Sequence, residues 1–139
     1  GEHGDSSLAV WSSVQNGGVK LLPPGREPGD LENAIHSEVV NAAGAVIAKK
    51  GYTNWAVGMA CAEIAEVVLG DLRLVLPVST CVRGYAGVKK DVFLSVPCVV
   101  GAKGVIRVFD LEFTATEKAL FKKSAQIVWE AQKGVWDRI

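Results

Sequence analysis

Apolar and polar positions along the chain fall into blocks of different period. From Leu8 to Leu22, Val10, Trp11 and Val14 lead into Gln15-Asn16-Gly17-Gly18, and Val19 to Leu22 follow. Asn-Gly favours a tight turn with positive φ, so this block predicts a hairpin. Pro23-Pro24-Gly25 and Pro28-Gly29 predict a loop within one domain. Leu31, Ile35, Val39, Ala42 and Val46 then recur at three- and four-residue spacing, the mark of one helical face. Asp30 suits the N-cap of that helix, Lys49 and Lys50 suit its last turn, and Gly51 suits the left-handed position beyond it. Gly44 weakens its middle. Thr53 or Asn54 caps a second helix, Trp55 to Leu69, closed by Gly70 and apolar nearly all round. Such a helix is expected to be buried on most sides, as the centre of the domain or against another domain or subunit.

Past Leu72 the period becomes two. Leu74, Leu76 and Val78 alternate around Pro77, which marks an edge position or a bulge. Val92 to Val100 predicts an apolar strand, Gly101 to Gly104 a turn, and Val105 to Phe113 the return strand. Three strands in succession point to an antiparallel meander. Thr114 with Glu117 three residues on is a capping box. It opens a last helix with Leu120, Ser124, Ile127, Val128, Ala131 and Val135 on one face. Strand, helices, strands, helix is an α+β order.

Composition narrows the class. A chain of 139 residues is expected to form a single domain, residues 1–139, with a sizeable core. Fifteen basic residues balance fifteen acidic ones, without a basic stripe, which argues against nucleic acid as a partner. The longest apolar stretch, Trp55 to Leu69, is broken by Glu63 and Glu66 and is too short to span a membrane. No segment has the pattern of a signal peptide. Cys61, Cys81 and Cys98 lie in apolar contexts without a CxxC pair and read as reduced, buried thiols. The expected location is cytoplasmic. His3 and His36 show no metal-ligand spacing, so no metal site is expected, and His36, off the apolar face of its helix, reads as solvated.

The candidate chemistry is in GEHGDSS, Gly1 to Ser7. His3 stands between two glycines, with Glu2 and Asp5 nearby. An imidazole is the side chain best suited to give and take a proton near neutral pH, and flanking glycines let a small substrate approach. By composition alone such a segment reads more readily as an inert terminus. Three segments together change that reading. GEHGDSS followed by LAVWSSVQNGGVKL, KGYTNWAVG (Lys50 to Gly58) and DVFLSVPCVVG (Asp91 to Gly101) resemble, in order and spacing, segments of NAD-dependent L-lactate dehydrogenases. The resemblance covers nearly the whole chain and only the second half of the family's sequence.

The resemblance implies the C-terminal substrate domain of lactate/malate dehydrogenases, with antiparallel strands and long helices and no Rossmann domain. It implies pyruvate and L-lactate as substrates, NAD as cofactor, an upstream NAD-binding domain, and a homo-oligomer, expected to be a tetramer. His3 matches the family's proton donor and acceptor, Thr53 its substrate-pocket threonine, and Val57 an apolar position near the nicotinamide. Bare sequence offers rival roles: Thr53 as a helix cap, Val57 as a core residue. Asp5 is given a local role, holding the loop. No GxGxxG follows a strand, and Arg26, Arg73, Arg83 and Arg107 do not match the family's substrate-carboxylate arginine. The piece alone is therefore expected to be inactive. Two other readings remain open: a truncated, non-catalytic assembly module, and half of a lactate-dehydrogenase-like malate dehydrogenase. The latter shares GEHGD, while KGYTNWA and DVFLSVPC favour lactate. Gly44, where the family usually has a bulkier residue, and Leu76, where histidine is common, depart from the family pattern.

Overall fold

A computed structural model describes residues 6–23 and 25–136. The elements in chain order are β1 (Gln15–Asn16), β2 (Val19–Lys20), α1 (Asp30–Lys50), α2 (Trp55–Leu69), β3 (Leu74–Cys81), β4 (Phe93–Gly101), β5 (Gly104–Val108) and α3 (Ala115–Trp136). Short 3-10 turns occupy Trp11–Ser13 and Tyr85–Gly87. The α+β order read from the sequence is what the chain adopts.

The hairpin is much shorter than its sequence block. β1 and β2 pair antiparallel, Gln15 with Lys20 and Asn16 with Val19, so the tight turn centres on Gly17-Gly18. Both glycines have positive φ, 58° and 84°, as a two-residue hairpin loop of type I′ requires. Upstream, where β structure was expected, the Ser13 hydroxyl donates to the Val10 carbonyl at 2.8 Å and the chain closes into a 3-10 turn. Serine hydroxyls compete in this way with strand pairing.

The start of α1 is displaced by one residue from the expected cap. The Asn33 N–H donates to the Gly29 carbonyl (3.0 Å) and the Gly29 N–H to Glu32 Oε2 (2.8 Å). Gly29 is thus the N-cap and Glu32 reaches back to it, as in half a capping box. These backbone N–H groups, its own and that of Gly29, hold the Glu32 carboxyl below its usual range, with Arg26 adding to them. At the far end Gly51 takes a left-handed φ of 86° and its N–H reaches the Ile47 carbonyl at 2.7 Å, as expected. Gly44 stands in open space, with nothing within 4 Å of where a Cβ would be. Gly44→Ala is therefore expected to stabilise the protein by about 0.5–1 kcal/mol, read as a higher urea midpoint at unchanged slope.

Two compact units divide the chain. One combines the segment up to Glu38, Cys81–Leu94 and the chain from Asp110 onward. Its buried apolar residues are Leu22, Val82, Val88, Val92, Phe121 and Ala125. The rings of Tyr85, Phe113 and Phe121 cluster there, with centroids 5.2–6.0 Å apart. The Tyr85 hydroxyl accepts the Leu111 N–H at 3.0 Å. These contacts pull the chain out of the sheet, so β5 ends at Val108 instead of reaching Phe113. They also turn α3. Its buried stripe is Glu117, Phe121, Ser124 and Ala125, while Leu120 and Val135 of the expected face are exposed.

The second unit holds Val39–Thr80 and Ser95–Phe109, with Val67, Val96, Cys98 and Val100 buried. Alternate residues of β4 face inward, the period-two pattern of a strand. β4 pairs antiparallel with β5, and Ile106 is an extra residue on β5 where Val99 pairs Arg107 and Val100 pairs Val105. The strand order β3-β4-β5 puts β3, with Pro77, at an edge among the described strands, one of the two settings, edge or bulge, that Pro77 suggests.

Burial distinguishes between the placements expected for α2. α1 has no buried residue and α2 only Val67. Trp55 (75%), Met59 (74%) and Leu69 (87%) of α2 are largely exposed. The all-round apolar pattern of α2 is thus not that of a helix inside this chain's own core. Cys61 and Cys81 are exposed rather than buried. Cys98 is buried, donates to the Val96 carbonyl at 3.3 Å, and has its thiol pKa raised by that burial. Among the described residues no helix is long and apolar enough to cross a membrane.

Candidate functional site

Two segments carry the residues singled out in the sequence. The first is the link from α1 to α2. After Gly51 the chain runs through Tyr52, Thr53 and Asn54 into α2. The Lys50 ammonium lies 4.8 Å from the centre of the Tyr52 ring and donates to Asn54 Oδ1 at 3.2 Å. Asn54 is the N-cap of α2 through its backbone alone: its carbonyl accepts the Gly58 N–H at 2.8 Å, and its side chain makes no cap bond.

That arrangement separates the two roles weighed for Thr53. Asn54 occupies the cap position, so Thr53 stands one residue outside the helix and is exposed. A hydroxyl beside an N-terminus whose first-turn N–H groups have no side-chain cap is well disposed to meet a small anion. Val57 sits in the first turn of α2 and is 60% exposed, so it is not the core valine that bare sequence allows. Thr53 and Val57 therefore share the start of one helix, a polar donor and an apolar surface within about one turn.

The second segment is the one that follows the histidine motif in sequence. His3 and Asp5 lie outside the described residues. Downstream of them, Ser12 is clasped by α3. Its N–H donates to Glu117 Oε1 (3.0 Å) and its hydroxyl to Glu117 Oε2 (2.6 Å). The same hydroxyl approaches the Glu112 carbonyl at 2.9 Å. The Ser6 and Ser124 hydroxyls lie 3.3 Å apart.

Glu117 also completes the capping box expected at α3. The Thr114 N–H donates to Glu117 Oε2 (2.8 Å) and the Glu117 N–H to the Thr114 hydroxyl oxygen (3.1 Å). Burial pushes the Glu117 carboxyl up, but the Ser12 hydroxyl and N–H and the Thr114 groups outweigh it and leave its pKa lowered. The capping role was legible as a four-residue motif. The clasp on Ser12, 105 residues away in sequence, has no local signal.

His36, expected to be solvated, is half-buried, and its Nε2 is buried without a hydrogen-bond partner among the described residues. It borders a cavity of about 460 Å³ with Leu8, Trp11, Asn33 and Thr116. No group of three or more His, Cys, Asp or Glu among the described residues could hold a metal ion.

For a nicotinamide dinucleotide, the residues present fit only in part. The exposed apolar first turn of α2 offers a surface for a flat ring at Val57. The phosphates would need a glycine-rich turn between a parallel strand and a helix. The β4–β5 pair is antiparallel, its strands joined by Ala102 and Lys103, and that turn leads into a strand rather than a helix.

Comparison with known proteins agrees in extent with the three sequence segments. The family model described as lactate/malate dehydrogenase, alpha/beta C-terminal domain, matches residues 1–135. The L-lactate dehydrogenase A chain of Python regius is 47% identical over 138 residues, which cover 96% of this chain and 42% of that protein. The L-lactate dehydrogenase A chains of Champsocephalus gunnari and Trematomus bernacchii are 49% identical over the same length and coverage. The chain thus spans less than half the length of these curated relatives.

Proposed function

Because the chain belongs to the lactate/malate dehydrogenase family and corresponds to its C-terminal domain, we propose that it is the substrate domain of an L-lactate dehydrogenase, acting as one domain over residues 1–139. The observation that carries this reading is the match over residues 1–135, which includes all three motif segments in order.

The roles follow from side-chain chemistry. His3, protonated, gives its proton to the carbonyl oxygen of pyruvate during reduction; neutral, it takes the hydroxyl proton of L-lactate in the reverse direction. NAD, when bound, supplies or accepts the hydride. Thr53 donates to the substrate at the start of α2, and Val57 lies against the apolar face of the nicotinamide. The dinucleotide phosphates and the substrate carboxylate are held by an NAD-binding domain, which supplies the glycine-rich turn and the arginine this chain lacks. The exposed apolar side chains of α1 and α2 support such a partner domain and, beyond it, further copies of the chain in a homo-oligomer. The same exposed faces are what favours the second reading, an assembly module without catalysis.

Thr53→Val in the full-length protein tests the choice. The hydroxyl is replaced by a methyl of the same shape, at an exposed position that is not the helix cap. Losing one hydrogen bond to an anionic substrate is expected to lower kcat/KM for pyruvate about 10- to 100-fold. The unfolding midpoint should stay unchanged. Pyruvate-dependent NADH oxidation that is absent from the wild type supports the assembly module instead. Oxidation unaffected by the substitution removes Thr53 from the pocket.

A further inference from the structure

Away from the segments discussed above, α3 and the loop before β4 enclose a groove of about 270 Å³ lined by Gly87, Val88, Lys89, Lys90, Lys122 and Gln126, with Ala125 in its floor. We propose that this groove binds a small, multiply charged anion of the phosphate type. Three lysines line it and, among the described residues, no Asp or Glu does. In a chain whose charges balance overall, that is a local excess of positive charge.

Carboxylates close in sequence to the lining residues already have partners. Asp91, next in sequence to Lys90, is held through both oxygens by Arg83 Nη1, at 3.2 and 3.1 Å. Glu130 takes Lys133 and the Gln126 amide as its hydrogen-bond donors, and Lys90 acts on it only weakly, through charge. Neither Lys89 nor Lys122 has an ion pair among the described residues.

The backbone is shaped to bring these cations in. Gly87 has a φ of 83°, and a Cβ there would stand 3.2 Å from both Cε and Nζ of Lys122. The positive φ favours glycine there, and the missing Cβ leaves the end of Lys122 room against the loop. Lys90 is steadied over the Trp129 ring, its Nζ 4.9 Å from the centroid. Val88 and Ala125, both buried, give the floor a lower polarity than water, which strengthens attraction to an anion. Lysines act on phosphate as point charges, without the fixed fork an arginine needs, and the size of the groove suits two linked phosphates better than an extended chain.

Calorimetric titration of the full-length protein with inorganic pyrophosphate, at constant ionic strength, is the test. The expected result is saturable binding at one site per chain, with orthophosphate weaker. The double substitution Lys90→Gln/Lys122→Gln should raise the dissociation constant by roughly tenfold or more. Lys103→Gln, in the β4–β5 turn, should leave it unchanged. A second double variant, Lys89→Gln/Lys122→Gln, should weaken binding similarly. No saturable heat, equal weakening by Lys103→Gln, or an RNA oligomer that binds and is not displaced by pyrophosphate would each overturn the proposal.

Discussion

Replacing His3 by asparagine in the full-length protein is expected to lower pyruvate turnover by about 10²- to 10⁴-fold, the usual worth of a positioned general acid. Asparagine keeps a similar size and a hydrogen-bond donor but has no proton to give at neutral pH. Affinity for NADH should change little, because the roles proposed for His3 concern the substrate oxygen. The two directions of the wild-type reaction should also answer pH oppositely. On the proposed role reduction uses the imidazolium, so kcat/KM for pyruvate should fall as pH rises, and oxidation uses the neutral ring, so kcat/KM for lactate should fall as pH drops. In His3→Asn both limbs should vanish. Retained turnover with the limbs intact would assign the proton to another group.

Glu117→Ala should cause the largest loss of stability. Its carboxylate accepts the Ser12 N–H and hydroxyl and the Thr114 N–H, at 6% exposure. Removing it strands two backbone donors and breaks a helix cap, which together cost about 2–4 kcal/mol. Glu117→Gln keeps the shape but not the charge and should cost less. The pH dependence has a definite sign. The pKa of Glu117 is lowered in the folded protein, so its contribution is full above the ordinary carboxylate value of about 4.5 and is lost as pH falls through the lower folded value. The gap in urea midpoint between wild type and Glu117→Gln should therefore be constant at neutral pH and close in acid. A gap independent of pH down to full protonation would mean that the charge of Glu117 is irrelevant and only its shape matters.

What was legible in the sequence was mostly what is local. The capping box at Thr114 and Glu117 and the left-handed Gly51 depend on a few neighbouring residues and stand in the structure as the sequence implies, while Pro77 implies an edge or a bulge and stands at an edge. The family was legible because three segments match in order. Misreadings arose where distant contacts decide. The face of α3 is set by Phe121 meeting Tyr85 and Phe113, and the same ring cluster cuts β5 short. Ser12 and Ser13 look like strand residues until Val10 and Glu117 bind their hydroxyls. For α2, periodicity reports that a surface is apolar but not what covers it. In the candidate site, helix geometry separated Thr53 from the cap, while the role of His3 rests on the motif around it.

The clasp between Ser12 and Glu117 also has a consequence for the order of events during synthesis. It joins residues 105 apart, so it closes a long loop and cannot form until synthesis has passed Glu117. A ribosome moves from the N-terminal side, and the histidine segment emerges long before α3. Until Glu117 leaves the exit tunnel, Ser12 has no carboxylate to hold it. A product of translation stopped before α3 would contain the imidazole without the clasp downstream of it, so the hold on Ser12 waits for α3.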